Sequence, residues 1–293
     1  MTSGSTPLTH FSCFSGIGGI DLAAEWAGFQ TLGQVELKEY PYAVLRQHWP
    51  DVLKWRDIKD VTSESIRRAG IAQPPTVLSG GFPCQPFSSA GNQRGTVDDR
   101  YLWPEMLRVV QECRPAWIVG ENVDGFVGMA LDESLAGLER AGYACRAFVF
   151  PAEAVGAPHE RYRCFIVAHR LCSGQERARV SIRQRRPDKD PADAPGLCED
   201  DPDNARECTY WAWKAGSRRC EHTDRAERIN WYEAATRFCG VDDGVSNRVD
   251  RIEALGNAVM PQHISPIMNA IAAIEEQNYS LKGLVEERKH ETD

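Results

Sequence analysis

The alternation of apolar and helix-like segments over residues 8–168 restricts the possible folds more than any other feature of this sequence. The strand-like runs occupy residues 8–14, 31–36, 76–79, 117–119, 144–150 and 163–168. The helical patterns between them occupy residues 20–27, 42–49, 102–112 and 131–141. Because strands that alternate with helices assemble into a sheet with the helices packed on its faces, the pattern predicts an α/β fold.

The regular alternation ends at residue 169, and a segment of different character follows. Residues 170–186 contain six arginines and one acid, and residues 188–203 contain seven acids and one lysine. Hydrophobic periodicity is poor throughout residues 170–247, which predicts a separate small module of irregular structure. Helix-like patterns return at residues 251–262 and 264–275. The predicted division is a main domain of residues 1–169 and 248–280, a module of residues 170–247 and a polar tail of residues 281–293.

The overall charge gives little support to nucleic-acid binding. The 293 residues carry a formal net charge of −8, with a pI of about 5.5, whereas nucleic-acid-binding domains usually have a basic surface. The arginine-rich residues 170–186 weaken this objection, because the cations there are clustered. We expect a cytoplasmic protein, since no apolar run has the ~20 residues of a membrane span and the first residues do not resemble a signal peptide. The ten cysteines are interpreted as reduced, mostly packed thiols.

A glycine-rich turn follows the first predicted strand. Residues 14–19 read Phe-Ser-Gly-Ile-Gly-Gly, and glycines at this point of an α/β sheet let the backbone approach a ligand closely. Glu36 ends the second strand, where a carboxylate can bind a ribose hydroxyl, and Asp57 lies near the expected end of the next strand. The set is interpreted as a site for a nucleoside cofactor, although a structural turn or a nicotinamide site would have a similar pattern.

A single cysteine stands in a stiff loop after the third apolar run. Residues 80–88 read Gly-Gly-Phe-Pro-Cys-Gln-Pro-Phe-Ser, so Cys84 lies between two prolines and follows two glycines. A thiol in an exposed loop at a strand end suits a nucleophile better than a packed core residue. The alternative is a buried structural cysteine, which is the usual role of this residue type.

Three later elements carry polar groups next to predicted strands. Glu121 follows a buried strand and is expected to point into a ligand crevice, with a capping or loop acid as the alternative. Arg161 and Arg163 share one face of the strand that they enter, where they either bind a phosphate or carboxylate or remain solvated. Residues 255–262, Leu-Gly-Asn-Ala-Val-Met-Pro-Gln, form a polar break in an otherwise helical carboxyl-terminal segment.

Taken in order, these five elements resemble the motifs of the cytosine-5 DNA methyltransferase family, which uses S-adenosylmethionine as methyl donor. The family's motifs are similar to Phe-x-Gly-x-Gly-Gly, Pro-Cys-Gln, Glu-Asn-Val, Gln-x-Arg-x-Arg and Gly-Asn-x-Val-x-Pro. The resemblance covers residues 8–169 and 248–275. It implies a Rossmann-like mixed sheet with helices on both faces, onto which the carboxyl-terminal segment packs, and it places residues 170–247 where the family has its target recognition domain.

The resemblance also implies roles for individual residues. Cys84 would attack C6 of cytosine, Glu121 would hydrogen-bond the ring nitrogen and the exocyclic amine, and Arg163 would hold Glu121 and the base. Arg161 belongs to the same implied catalytic set. The residues implied for the methyl-donor pocket are Phe14, Ser15, Gly16, Ile17, Gly18, Gly19, Glu36, Asp57, Ile58, Pro83, Leu102, Asn257 and Val259. The residues expected to contact DNA are Gln85, Ser88, Arg183, Arg185 and Arg186.

Duplex DNA is the partner that this resemblance implies. The target cytosine would flip out of the helix to reach the site. A monomer is expected, together with a cognate restriction endonuclease acting on the same sequence, and no metal ion is required. Three positions depart from the family pattern: His159 stands where Gln is usual, Leu37 where an aromatic residue often stacks on adenine, and Ser12 where an acid is common.

Other functions stay open from the sequence. A transfer-RNA cytosine-5 methyltransferase would share the fold and mechanism, but such enzymes typically lack the run at residues 80–88 in this form. A non-catalytic DNA-binding relative would lack Cys84 or Glu121, and a nicotinamide oxidoreductase would explain only the glycines. A zinc site is disfavoured because its candidate ligands contain no Cys-x-x-Cys pair. Those candidate ligands are Cys198, Cys208, Cys220 and His222.

Overall fold

The computed structural model describes residues 7–83, 101–157, 159–171 and 248–290 of the chain. Within these residues it contains a seven-stranded sheet and seven α-helices. The strands are β1 (Thr9–Cys13), β2 (Gln30–Val35), β3 (Leu53–Trp55), β4 (Val77–Gly81), β5 (Trp117–Val123), β6 (Tyr143–Phe150) and β7 (Arg163–Arg170). The helices are α1 (Gly19–Trp26), α2 (Glu39–His48), α3 (Ser63–Arg68), α4 (Trp103–Cys113), α5 (Leu131–Arg140), α6 (Arg248–Asn257) and α7 (Pro261–His290).

The sheet is mixed, with the strand order β3-β2-β1-β4-β5-β7-β6. Strands β1 to β5 are parallel to one another, whereas β7 is antiparallel to both of its neighbours. The first five strands therefore end at one edge of the sheet, and β7 begins at that same edge. We call it the carboxyl edge; ligands of open α/β sheets bind there.

Helices cover both faces of the sheet. On one face, α3, α4 and α5 pack through buried side chains that include Ile66, Met106 and Leu138. On the other face, α1 and α7 pack against each other and against the strands through residues such as Ala23 and Met268. The predicted Rossmann-like sheet with helices on both faces is confirmed.

Two short elements have too few residues for a hydrophobic period to be visible: β3 has three and α3 has six. α3 was not predicted, whereas β3 ends two residues before Asp57, which agrees with the strand end expected there. The start of α3 is fixed by a capping box, in which Ser65 N donates to Thr62 Oγ1 and Thr62 N donates to Ser65 Oγ. Serine takes the position where glutamate or glutamine usually identifies this motif.

The carboxyl-terminal helix is longer than predicted. α7 begins at Pro261 and continues to His290, so the segment expected to be a polar tail from residue 281 is helical as far as His290. Glutamate, glutamine, lysine and leucine are frequent there, and their helix propensity extends the helix beyond its packed first half. Strand β7 likewise continues to Arg170, and the remaining module residues 172–247 lie outside the described residues.

The cysteines of the described part of the chain form no disulfide bonds with one another. Cys13, Cys113, Cys145 and Cys164 are free thiols, the first and last of them buried. None of the helices in the described ranges is long and apolar enough to cross a membrane.

Candidate active site

The carboxyl edge brings together segments that are far apart in the sequence. β1 leads into the glycine-rich loop at residues 14–19, and β4 leads into the run that contains Cys84. The parallel register of β4 and β5 places Gly81 opposite Glu121. The antiparallel register of β5 and β7 places Val123 opposite Arg163. Because β7 runs antiparallel to β5, its first residue, Arg163, lies beside the end of β5.

The glycine-rich loop has a backbone that few other residues would adopt. Phe14, Gly16 and Gly18 have φ angles of 54°, 56° and 88°, in the left-handed region that favours glycine. Backbone hydrogen bonds from Ser15 N to Val35 O and from Gly18 N to Ser15 O, both 2.9 Å, hold the turn. A Cβ built on Gly16 would meet no atom within 4 Å, so open space adjoins the loop.

Two carboxylates follow the neighbouring strands β2 and β3, and that of Glu36 contacts this loop. Glu36 Oε2 accepts a hydrogen bond from Gly16 N at 2.8 Å, and Glu36 Oε1 accepts one from Lys38 N at 2.8 Å. Asp57 Oδ1 accepts a hydrogen bond from Lys59 N at 3.0 Å, which begins a 3₁₀ turn at the buried Ile58. Each ionised carboxylate oxygen accepts more than one hydrogen bond, so both side chains keep acceptor capacity for hydroxyl or amino groups. These residues fit the nucleoside part of a ligand.

A buried polar cluster beneath the loop was missed by the sequence analysis. Asp21 is fully buried on α1; its Oδ2 accepts a hydrogen bond from Ser12 Oγ at 3.0 Å, and its Oδ1 accepts one from Gln34 Nε2 at 2.9 Å. Ser15 Oγ lies 2.9 Å from Ser12 Oγ, which connects the cluster to the loop. Burial raises the pKa of Asp21 to about 6, with the two hydrogen bonds acting in the opposite direction. An acid within the apolar face of α1 was the available signal.

Glu121 and Arg163 form the central ion pair of the site. Arg163 Nε lies 2.9 Å from Glu121 Oε1, and both side chains are largely buried, with 18% and 11% of their surfaces exposed. Burial raises the pKa of Glu121, although the neighbouring Arg163 and Arg161 act to lower it. The carboxyl group is therefore easier to protonate than that of an exposed glutamate.

An aromatic cluster fixes the end of β4 beside Glu121. Phe82 is buried and packs against Trp103 and Phe126, with ring centroids 5.0 and 5.2 Å apart. Asn122 Nδ2 donates to Phe82 O at 3.4 Å, so β5 also supports this backbone. Pro83 is the last described residue before a gap at residues 84–100. Cys84, Gln85 and Ser88 lie outside the described residues.

The described cysteines are poor candidates for a nucleophile. Burial raises the pKa of Cys113, Cys145 and Cys164 to about 12, and it raises the pKa of Cys13 as well. Nucleophilic attack needs the thiolate, which these groups do not form near neutral pH. They act as small packed side chains, as the sequence predicted.

The break between α6 and α7 packs against the glycine-rich loop at the carboxyl edge. Val259 lies so close to the glycine loop that a Cβ on Gly19 would come 2.0 Å from its carbonyl oxygen. Asn257 ends α6 and is exposed, and Leu102 precedes α4 at the same edge. Lys38 Nζ forms an exposed ion pair with Glu253, which links the loop after β2 to α6.

Leu37 and Ser12, two of the positions that depart from the family pattern, lie in different surroundings. Leu37 is 63% exposed, so it offers an open aliphatic side chain in place of an aromatic ring. Its carbonyl accepts a hydrogen bond from Arg56 Nη2 at 2.6 Å, and the Arg56 guanidinium lies 4.3 Å from the Tyr42 ring centroid. Ser12 belongs to the Asp21 cluster, which supplies a carboxylate from α1 instead of β1. The DNA-contacting candidates Arg183, Arg185 and Arg186 lie outside the described residues.

The fold is of the Rossmann-like α/β class. Residues 8–194 match the family model of the C-5 cytosine-specific DNA methylases. This match spans more than half of the sequence, and the chain belongs to that family.

Individual relatives agree with this assignment. The Type II methyltransferase M.AquIA of Picosynechococcus sp. is 38% identical over 176 residues, which cover 55% of this chain and 71% of that protein. The Type II methyltransferase M.PspPI of Psychrobacter sp. is 36% identical over 163 residues, which cover 54% of this chain but only 38% of that protein. The S. pombe Dnmt2 methyltransferase has a TM-score of 0.55 at 16% identity, with 90% and 98% of the two chains covered, and shares the fold.

Proposed function

We propose that this chain is a DNA (cytosine-5) methyltransferase that transfers a methyl group from S-adenosylmethionine to C5 of a flipped-out cytosine in a specific duplex sequence. The observation that carries the proposal is the buried pair of Glu121 and Arg163. It lies directly across the β4–β5 register from Gly81, three residues before Cys84 in the sequence. The strand that leads to Cys84 in the sequence therefore ends beside the carboxyl group proposed to bind the base.

The reaction requires a nucleophile because C5 of cytosine is itself a weak one. Addition of the Cys84 thiolate to C6 breaks the aromaticity of the ring and makes C5 enamine-like. S-adenosylmethionine supplies an electrophilic methyl group on a sulfonium when bound. After transfer, a base removes the C5 proton. The electrons of the C5–H bond re-form the C5–C6 double bond, and the C6–S bond breaks to release the Cys84 thiolate. Cys84 is thereby regenerated.

Glu121 has the properties that the developing charge on the ring requires. As electrons from the thiolate enter the base, the ring nitrogen becomes more basic and gains from a hydrogen-bond donor. Burial raises the pKa of Glu121, which favours a carboxyl that can donate to the ring nitrogen while its other oxygen accepts from the exocyclic amine. Arg163 fixes the orientation of this carboxyl through its Nε contact.

The loop at residues 14–19 and its carboxylates form the proposed donor site. Gly16 leaves open space, and Glu36 and Asp57 offer acceptors to the ribose hydroxyls and the adenine amine. The exposed Leu37 stacks on adenine less effectively than an aromatic ring would. Duplex DNA, read by residues 170–247, is the proposed partner of a cytoplasmic monomer. A restriction endonuclease of the same specificity is the proposed companion enzyme.

Trapping of the covalent adduct tests this proposal. A duplex with 5-fluorocytosine at the target should stop the reaction after methyl transfer. The fluorinated C5 carries no proton for a base to remove, so the elimination that releases the enzyme cannot occur. Incubation with the donor should give a denaturant-resistant protein–DNA adduct on a gel. Cys84→Ser should give little adduct, since a serine hydroxyl is scarcely ionised near neutral pH. Glu121→Gln should slow adduct formation while DNA binding persists.

Two results would contradict the proposal. An equally abundant adduct in the Cys84→Ser protein would remove the proposed nucleophile. Preferential methylation of transfer RNA over duplex DNA in a direct comparison of methyl incorporation would assign the same chemistry to RNA. The target sequence itself can be read by expressing the chain in a host without cytosine methylation and mapping modified cytosines by bisulfite sequencing.

A further inference from the structure

Arg161 connects the entry of β7 to the break between α6 and α7. Its Nη2 donates to Gly256 O at 3.0 Å and to Ala258 O at 2.8 Å, across more than ninety residues of sequence. The backbone of Arg161 has a φ angle of 28°, which is uncommon for a residue other than glycine. Such strain persists only where the surrounding contacts hold it.

The two carbonyl acceptors come just before the residue that contacts the glycine loop. Val259 follows Ala258, and its carbonyl oxygen occupies the position that a side chain on Gly19 would need, 2.0 Å away. Val259 Cγ2 also lies 3.3 Å from the Cβ position of Gly81. Val259 therefore touches the glycine loop and the end of β4 together. Moving the carbonyls bound by Arg161 would move this contact.

Arg161 and Arg163 have different partners although both face Glu121. Within the described residues, Glu121 forms an ion pair with Arg163, whereas Arg161 donates to the two carbonyls. Burial and the like charge of Arg163 both lower the pKa of Arg161. Charge-assisted bonds to carbonyl oxygens offset the cost of placing a second cation in this position.

We propose that Arg161 is a positioning residue that holds Val259 against the glycine loop and so shapes the donor site, instead of acting on the cytosine. This inference rests on the proposed function, because it assumes that the donor binds at residues 14–19. It differs from the role that the sequence suggested, which grouped Arg161 with the catalytic residues.

Separate measurements of donor affinity and turnover test the role. Arg161→Met should weaken donor binding by roughly tenfold or more in calorimetry, because two charge-assisted hydrogen bonds are removed. The KM for the donor should rise, while kcat at saturating donor should change by less than about threefold. Arg161→Lys keeps donor hydrogens for the same carbonyls and should recover part of the affinity. Arg163→Met is the matched comparison, and it should mainly lower kcat because Glu121 loses its partner.

A measurement on the protein without donor completes the test. Hydrogen exchange of the backbone amides at residues 257–260 should be faster in Arg161→Met, and thermal unfolding should show that the rest of the fold persists. Val259→Ala should also weaken donor binding, and the double variant should lose less than the sum of the two effects.

Unchanged donor affinity in both Arg161 variants, or a fall in kcat as large as that of Arg163→Met, would overturn the proposed role. A wild-type protein that binds no donor in calorimetry would contradict the proposed function instead. The exchange comparison would then still report whether Arg161 holds residues 257–260.

Discussion

At the scale of single residues, Asp57 is the most direct test of the donor site. Asp57→Ala should weaken donor binding by about ten- to a hundredfold, which is the value of one charge-assisted hydrogen bond. The measurement is calorimetric titration with S-adenosylmethionine. Because Asp57 also accepts a hydrogen bond from Lys59 N, Asp57→Asn is the control that keeps this turn while removing the charge. Unchanged affinity in both variants would exclude Asp57 from the site.

The buried Asp21 predicts a pH dependence of stability. Burial raises its pKa from 3.8 to about 6, so the folded protein keeps a proton that the unfolded chain releases earlier. The stability contributed by this proton is present below about pH 4, declines as the pH rises, and is lost above about pH 6. The wild type should therefore lose on the order of 3 kcal/mol relative to Asp21→Asn across this range.

Chemical unfolding of both proteins at several pH values measures this difference. The asparagine amide can satisfy the same neighbours, because Ser12 Oγ is able to accept a hydrogen bond as well as donate one. Asp51→Asn, at an exposed position, controls for the change in net charge. A constant difference between wild type and Asp21→Asn from pH 4 to pH 7 would show that folding does not raise the pKa of Asp21.

At the scale of elements, we expect α7 to contribute to the stability of the fold mainly through the half that packs against α1. Met268 is fully buried, whereas Ile274 on the same helix is 42% exposed. Met268→Ala should lower the free energy of unfolding by about 2–5 kcal/mol, because a cavity forms between α1, α7 and the sheet. Ile274→Ala should cost about 1 kcal/mol or less. Urea unfolding compares the two variants, and equal losses would contradict this placement of α7.

The long, strongly patterned elements were predictable from the sequence, and the short ones were not. β1, β2, β6 and α5 agree with their predicted segments to within one residue at each end. β6 alternates between buried and more exposed side chains, whereas four consecutive residues of β1 are buried, and α5 has the helical period. β3 has too few residues to show a pattern. The sequence of the second half of α7 lacks the apolar period that marks a packed helix, so only its helix propensity pointed to a helix there. Hydrophobic pattern therefore identifies an element only where the apolar residues recur at the right spacing.

Positions at the carboxyl edge were predictable where a single residue stands near a strand end, and not where several residues form a network. Glu36 follows β2 directly, and Glu121 is among the last three residues of β5. The cluster around Asp21 combines α1 with two strands, and no spacing in the sequence reveals that combination. The contact between Arg161 and the α6–α7 break depends in the same way on how distant segments pack.

At the scale of the whole molecule, the catalytic domain is assembled from two separated parts of the chain. The sheet and α1 to α5 come from residues 7–171, whereas α6 and α7 come from residues 248–290. Arg161 and the packing of α7 on α1 join the parts. The intervening residues leave the sheet at β7 and return at α6, so a recognition module at this point can differ in sequence without altering the core. We propose that residues 170–247 have this role.

The salt dependence of DNA binding tests that proposal on the intact protein. Replacing Arg183, Arg185 and Arg186 by glutamine should weaken duplex binding and reduce the log–log salt slope by up to ~0.9 for each phosphate that is no longer neutralised. The matched control replaces Arg46, Arg67 and Arg140, which are exposed in the last turns of α2, α3 and α5, away from the carboxyl edge. Both triple variants change the net charge of −8 equally. A smaller slope in the first variant alone supports phosphate binding by the module, whereas equal slopes in both would indicate that these arginines form a solvated charge run.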